Sequence, residues 1–204
     1  MTAPRHGLVG DMVPGGGDTN AGAAPMEAFR TAFRHHPAGV AIITGDAGEG
    51  PVALTVSSLI SVSVAPPTVA FSLSNASSSS QALKRAESVV VHFVRRKDMQ
   101  LARLCATSGA DRFSADTRWS RLLTGEPYYP QVDLWFRAAI RGRLAAPGAC
   151  LVTAEFLQTS PAAWYEMKES ETLVYANRTW HGLHPLADAV RTPLLLWADD
   201  SATF

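Results

Sequence analysis

Two cysteines in 204 residues are too few for a disulfide framework, and Cys105 and Cys150 each sit inside an apolar periodic segment. They read as buried free thiols, which suits a reducing compartment. Net charge is missing too, because 18 Lys and Arg balance 18 Asp and Glu. No global field then gathers nucleic acid or an anionic membrane, so any anion site has to be local. No apolar run approaches the roughly 20 residues of a membrane span. The N-terminal MTAPRHGLVGDMVPGGG lacks the apolar segment that a secretory leader needs. A soluble, cytoplasmic protein is expected, with no nucleic-acid and no membrane partner.

Several catalytic signatures are absent as well. No GxGxxG follows a strand, since the glycines of PGGGD lie in the N-terminal segment and those of DAGEG in a hairpin turn. That argues against a Rossmann domain. There is no GxSxG elbow, and neither cysteine has the context of a catalytic thiol. Asp and Glu are scattered, with no pair suggesting a hydrolase. His35 and His36 are adjacent and diverge on a helix; His181 and His184 share a face but have no further ligand at zinc spacing. No metal site is expected.

What is present is an ordinary globular composition, 47% hydrophobic and 18% charged, in a chain long enough for one substantial domain. Residues 1–23 are rich in Gly, Pro and Ala and read as a flexible tail. A short helix carrying Met26, Phe29 and Phe33 ends at His36, before Pro37. AGVAIITG (38–45) and PVALTVSS (51–58) read as a hairpin joined by DAGEG. TVAFSLS begins after Pro66-Pro67, SSSSQALKRA (77–86) is a helix with a serine cap, and SVVVHFVRR (88–96) is a strand. KDMQLARLCATSG (97–109) is a helix capped by Asp98 and closed by Gly109. Residues 111–130 are irregular and aromatic-rich. A long alternation follows, with Val132, Leu134, Phe136, Ala138 and Ile140 on one face and Asp133, Trp135, Arg137, Ala139, Arg141 and Arg143 on the other. Pro147-Gly148 turns it into CLVTAEFLQ, and TLVYAN (172–177) is a final strand. The pattern is mainly β with a few short helices, pointing to a closed or nearly closed antiparallel barrel over residues 24–184. Residues 185–204 form a C-terminal extension with an apolar patch from Pro193 to Trp197.

The most informative stretch runs from Pro51 to Leu83. Val52, Leu54 and Val56 interleave with Ala53, Thr55 and Ser57; Val69, Phe71 and Leu73 interleave with Ala70, Ser72 and Ser74. The polar face carries hydroxyls and no charge, which lets a flat group approach closely. The segment ends in Asn75 and the serines 77–80 at a helix start, where hydroxyls and backbone N–H groups suit a phosphate. The serines alone read first as a simple helix cap, and the preceding sheet face and following helix turn the reading toward the phosphate. His92, in step with Val90 and Val94, is either a ligand contact or a satisfied core histidine. Arg112, Arg118 and Arg121, among Phe113 and Trp119, either bind an anion or form a solvated face.

The order HPAGVAIITG, TVSSLISVSVAPPTVAFSLSN, SSSSQAL, SVVVHFV, a DRF with a following Trp, and LVYANRTWHGL resembles the flavin reductase-like domain family. The resemblance covers roughly residues 26–184. It implies the FMN-binding split β-barrel, of antiparallel Greek-key type. It further implies that Thr55, Val56, Ser57 and Ser58 line the isoalloxazine and ribityl chain. Ser74, Asn75, Ala76, Ser77, Ser79 and Ser80 would hold the phosphate. The backbone of His92, Phe93 and Val94 would run along the flavin, with Arg112 and Phe113 toward its phosphate side. Pro37 is assigned to the same site, and the Arg178-Thr179-Trp180-His181 turn would close it, Trp180 against the cofactor.

The resemblance implies hydride transfer from NAD(P)H to FMN, with FAD also possible, in a homodimer feeding reduced flavin to a partner oxygenase. In that chemistry the flavin supplies the reactivity and the protein supplies geometry. Many relatives carry Gly-Asp-His on the penultimate long strand, the histidine against the nicotinamide. Here Gly148-Ala149-Cys150 stands in its place, leaving His181 to serve as the catalytic residue. The departure supports an alternative expectation: a flavin-binding carrier, sensor or partner-binding dimer without efficient reductase activity. A haem-binding barrel lacks the expected axial ligands.

Overall fold

The structure is a computed structural model that describes residues 23–161 and 172–183. The tail up to Gly22, His184 and the extension from Pro185 to Phe204 lie outside the described residues. Residues 1–36 and 37–204 separate into two units. In the first, α1 (Ala23–His35) carries Met26, Phe29 and Phe33, with the two Phe rings 4.5 Å apart.

In the second unit the chain runs β1 (Ala38–Gly39), β2 (Ala41–Asp46), β3 (Pro51–Val56), β4 (Ile60–Val64), β5 (Pro67–Ser74), α2 (Ser78–Leu83) and β6 (Ser88–Phe93). A 3₁₀ turn (Arg96–Asp98) leads into α3 (Met99–Ala106). The short strands β7 (Ser120–Arg121) and β8 (Pro127–Tyr128) precede the long pair β9 (Leu134–Ala146) and β10 (Ala149–Thr159), then β11 (Leu173–Ala176) and β12 (Thr179–Gly182). The described molecule is mainly β, and every strand pair in it is antiparallel.

Seven strands form one sheet in the order β3-β2-β6-β9-β10-β5-β4. Its inward side chains build the larger core, in which Ile43, Val56, Phe71, Leu73, Val91, Ala138 and Val152 meet Leu83 of α2. A second core forms on the other side of β2 and β3, where Ile42 and Ala53 pack against Ala102 and Cys105 of α3, Tyr129, Val132 and Leu173. The unbroken apolar run Val40–Ile43 reflects this double burial, since a strand covered on both faces needs no polar alternation. No backbone ladder joins the sheet's edge strands among the described residues. Instead Ser58 Oγ, just beyond β3, accepts from Ser72 N of β5 at 3.0 Å, drawing the chain beyond one edge strand toward the strand beside the other edge.

Local chemistry explains the boundaries. Ser77 Oγ accepts from Ser80 N at 3.4 Å, so the serine cap starts α2. Asp98 behaves otherwise than expected: its carboxylate accepts from Arg95 N at 2.9 Å and closes the 3₁₀ turn instead of capping α3. α3 ends at Ala106 with Thr107 as its cap, short of Gly109, which bends the following loop at φ +73°. The irregular stretch 111–130 holds the small hairpin β7–β8, pinned to the sheet by Glu126. Burial alone would push its carboxyl up, but Ser88, Thr124 and Arg137 donate to it and hold it below the usual carboxylate range.

One facial assignment fails. Opposite Thr153 and Ala154 the ladder runs from Gly142 to Ile140, leaving Arg141 as a bulge residue. A one-residue insertion reverses every later side chain. Arg143 therefore falls opposite the core residue Val152, away from the face of Arg137, and its guanidinium donates to Ala86 O beyond α2 at 2.5 Å.

Candidate functional site

The C-terminal end of β3 passes between α2 and α3, and a cleft opens there in two lobes. Both lobes are walled by Thr55, Val56, Ser57 and Ala106, so they adjoin along the end of β3. One lobe, of about 570 Å³, is lined by Ser57, Ser58, Ser72, Ser74, Ser77, Ser78, Ser80, Ser108 and Arg112. The other, of about 560 Å³, is lined by Val40, Tyr175, Trp180, Arg103 and Thr107. Each volume is that of a small-molecule site. Among the described residues, neither lobe has a carboxylate in its wall, while each has one guanidinium.

The hydroxyl lobe is organised around Arg112. Its Nη1 donates to Ser79 Oγ at 3.0 Å and its Nη2 to Thr107 O at 2.6 Å, tying the start of α2 to the end of α3. Its Nε is buried and has no acceptor among the described residues. A buried unsatisfied donor is costly, and here it belongs to a cationic wall residue among serine hydroxyls. That donor set fits a phosphate. Ser77 accepts from the α2 backbone, leaving its own proton to donate. Tyr129 OH donates to Arg112 O at 2.9 Å and lies 3.5 Å from Cys105 Sγ, holding the loop from beneath. Burial pushes the Cys105 thiol up to about 11, so it stays protonated at the cleft wall.

The aromatic lobe depends on the β11–β12 hairpin. Asn177 and Arg178 take positive φ of 47° and 60°, the backbone of a two-residue hairpin turn. This turn sets Tyr175 opposite Trp180, with ring centroids 5.2 Å apart and edge to face, on the cleft wall.

The residues expected from the sequence divide clearly. Thr55, Val56, Ser57, Ser58, Ser74, Ala76, Ser77, Ser80, Arg112 and Trp180 all line the cleft, and Ser79 reaches it through Arg112. Asn75 is beside it but occupied: its N–H donates to Gly148 O at 2.9 Å, and its side-chain oxygen accepts from Lys84 Nζ. Pro37 is exposed and off the cleft wall.

Several of the expected residues turn their side chains elsewhere. His92 is wholly buried, with Nδ1 3.2 Å from Ile42 O and Nε2 accepting from Tyr129 N at 3.1 Å. Of its two readings, the core histidine holds. Burial lowers its pKa to about 4, so it stays neutral with the proton on Nδ1. Phe93 packs against Phe136 and Phe156, Val94 enters the second core, and Phe113 stacks on Tyr129, so these side chains do not line the lobes, while the expectation for His92–Val94 concerned their backbone. His181 follows Trp180 on a strand and so points to the opposite face, where it is exposed with Nε2 3.2 Å from Ala176 O. The hydroxyl face of β3 is largely covered by α3: Ala53 is buried in the second core, and Thr55 donates to Ala102 O at 2.7 Å.

Sequence reasoning missed Arg103, Ala106, Ser108 and Gly109 at the end of α3, and Tyr175. The run Ala106-Thr107-Ser108-Gly109 has the same small and hydroxyl character as Thr55–Ser58, a usable signal. An arginine on a helix surface gives none.

The geometry agrees with the relationships of the sequence. The family model described as the flavin reductase like domain matches residues 33–184. An NADH:FMN oxidoreductase of Rhodococcus erythropolis is 43% identical over 112 residues, 55% of this chain. The aligned chain spans only 58% of that relative's length. The FMN reductase (NADH) RutF of Stutzerimonas stutzeri is 29% identical over 165 residues, covering 79% of this chain and 91% of that protein. The crystal structure of a flavin reductase domain protein from Arthrobacter sp. FB24 superposes with a TM-score of 0.73 at 27% identity, over 81% of this chain and 99% of the other. The chain belongs to the flavin reductase-like domain family.

Proposed function

We propose that this protein is a flavin reductase that passes hydride from NADH to FMN and yields reduced flavin to a partner oxygenase or to oxygen. The observation that carries the proposal is the pair of adjoining lobes, one lined by hydroxyls and a guanidinium and the other by aromatic rings. The hydroxyl lobe takes the FMN phosphate on Arg112, Ser74, Ser77 and Ser80. Thr55–Ser58 border the ribityl chain and ring, and Trp180 and Tyr175 flank the ring in the aromatic lobe. Because Thr55 donates its proton to Ala102, it offers a ligand only lone pairs and so suits a ring N–H. Bound flavin supplies the two-electron acceptor chemistry; the chain supplies orientation and hydrogen bonds.

The curled seven-stranded sheet is read as the family's split barrel, in a homodimer. The names of the Rhodococcus and Stutzerimonas relatives support NADH and FMN as the substrates, in preference to NADPH and FAD.

One observation favours the second reading, a flavin carrier or sensor with little reductase activity. Cys150 is half-buried against the larger core with its Sγ 3.7 Å from Leu151 O, and His181 faces away from the cleft. The test is NADH consumption at 340 nm by purified protein with FMN, FAD or riboflavin. Oxidation well above the protein-free rate is expected with FMN. A rate equal to that control, with FMN binding intact, would select the carrier.

A further inference from the structure

The cleft contains a second cation that the flavin phosphate does not use. Arg103 lies on α3 one turn before Ala106 and Thr107, at the wall of the aromatic lobe. Its side chain is exposed and makes no hydrogen bond or ion pair among the described residues. Five other cations are held by carboxylates, Arg85 by Glu49, Arg121 by Asp46, Lys97 by Asp133, Arg137 by Glu126 and Arg141 by Glu155, whereas Arg103 is left open to a ligand. Among the described residues no carboxylate lines the lobe beside Arg103. Its position in the last turn of α3 complements the helix dipole, a modest and purely structural role. That role does not require an aromatic cavity beside it.

With the flavin phosphate on Arg112 and the flavin ring against the aromatic lobe, Arg103 remains at the wall of that lobe as a second guanidinium, placed for the anionic group of a second ligand. Arg112 is committed to the hydroxyl lobe by its bonds to Ser79 and Thr107. Resting on the flavin reductase reading, we infer that Arg103 is the docking cation for the diphosphate of the nicotinamide nucleotide, holding it over the open side of the aromatic lobe. The diphosphate is favoured over a 2′-phosphate because the lobe offers a single cation, which the shared linkage of both dinucleotides satisfies. Arg103 thereby acts as a positioning residue for the donor. It makes no contact with the transferred hydride.

The test compares wild type with Arg103→Gln and Arg103→Lys, using Arg85→Gln as a control that removes the same charge from a surface ion pair. Three quantities are read: FMN affinity by fluorescence quenching, ADP-ribose affinity of the FMN-loaded protein by calorimetry, and KM and kcat for NADH, NADPH and reduced nicotinamide mononucleotide. Arg103→Gln is expected to weaken ADP-ribose and raise KM for NADH and NADPH alike by about tenfold, the scale of one charge-assisted contact discounted for exposure. The loss should fall on KM more than kcat, spare the mononucleotide and FMN affinity, and be largely rescued by lysine. A rise confined to NADPH would overturn the inference in favour of a 2′-phosphate site. An unchanged ADP-ribose affinity, or equal losses in Arg85→Gln, would overturn it outright. ADP-ribose binding needs no turnover, so it decides the role of Arg103 even if NADH oxidation fails.

Discussion

Replacing Arg112 by glutamine separates phosphate recognition from ring recognition. The guanidinium is fixed by Ser79 Oγ at 3.0 Å and Thr107 O at 2.6 Å, with a buried Nε–H left over. A hydrogen bond to a charged partner contributes about 1.5–3 kcal/mol. At 1.36 kcal/mol per decade this is roughly a 10- to 150-fold loss of FMN affinity. Riboflavin has the same ring and ribityl chain without the phosphate, so its affinity reports only the loosening of the α2–α3 junction. Titration of both ligands by flavin fluorescence gives the ratio of the two losses, in which the structural contribution cancels. A Lys at 112 should recover part of the FMN loss, since it keeps the charge but not the fork. Equal weakening of FMN and riboflavin would refute the phosphate assignment and reduce Arg112 to a strut between two helices.

Thr55→Val should act in the complementary way, weakening FMN and riboflavin equally, by roughly 2- to 12-fold for one neutral hydrogen bond; a loss for FMN alone would place Thr55 on the phosphate instead. The neutral, buried His92 makes stability depend on pH. Its folded pKa, about 4, lies below the unfolded value near 6.5, so the unfolded chain binds the extra proton between these limits. Stability is full above pH 6.5 and declines toward pH 4, by roughly 3 kcal/mol at most; thermal melts of His92→Gln should show a flatter profile across that window, and an unchanged slope would contradict the buried neutral ring. Arg178→Gly relieves a left-handed residue at φ 60°, gaining about 1–2 kcal/mol in the fold while giving back up to about 1 kcal/mol of unfolded-chain entropy. A small rise in Tm is expected, and a clear fall would mean that Arg178 makes contacts outside the turn.

The serine-rich stretch was legible because its signal is local. Thr55–Ser58 and Ser74–Ser80 carry hydroxyls without charge, and alternation places Thr55 and Ser57, like Ser72 and Ser74, on one side of the chain. Both groups line the cleft. Arg112 was visible as a candidate yet equally readable as a solvated surface residue, because nothing in DRF shows that its guanidinium turns back to Ser79. His92 was undecidable for the same reason, since its partners lie 50 and 37 residues away.

Residue composition and period two by themselves determined that this chain is mainly β, that residues 38–45 form a strand, and that an uncharged hydroxyl wall meets a helix start. Those are properties of neighbours in the chain, fixed by side-chain size and backbone pleat. Only the tertiary structure decided which side chains face the cleft. Packing of α3 over β3 consumed the Thr55 proton and hid Ala53, the Arg141 bulge reversed Arg143, and the Asn177-Arg178 turn sent Trp180 inward and His181 outward. The same packing left Arg103 beside an aromatic cavity without a carboxylate. Such facts depend on contacts between distant segments, and no local pattern encodes them.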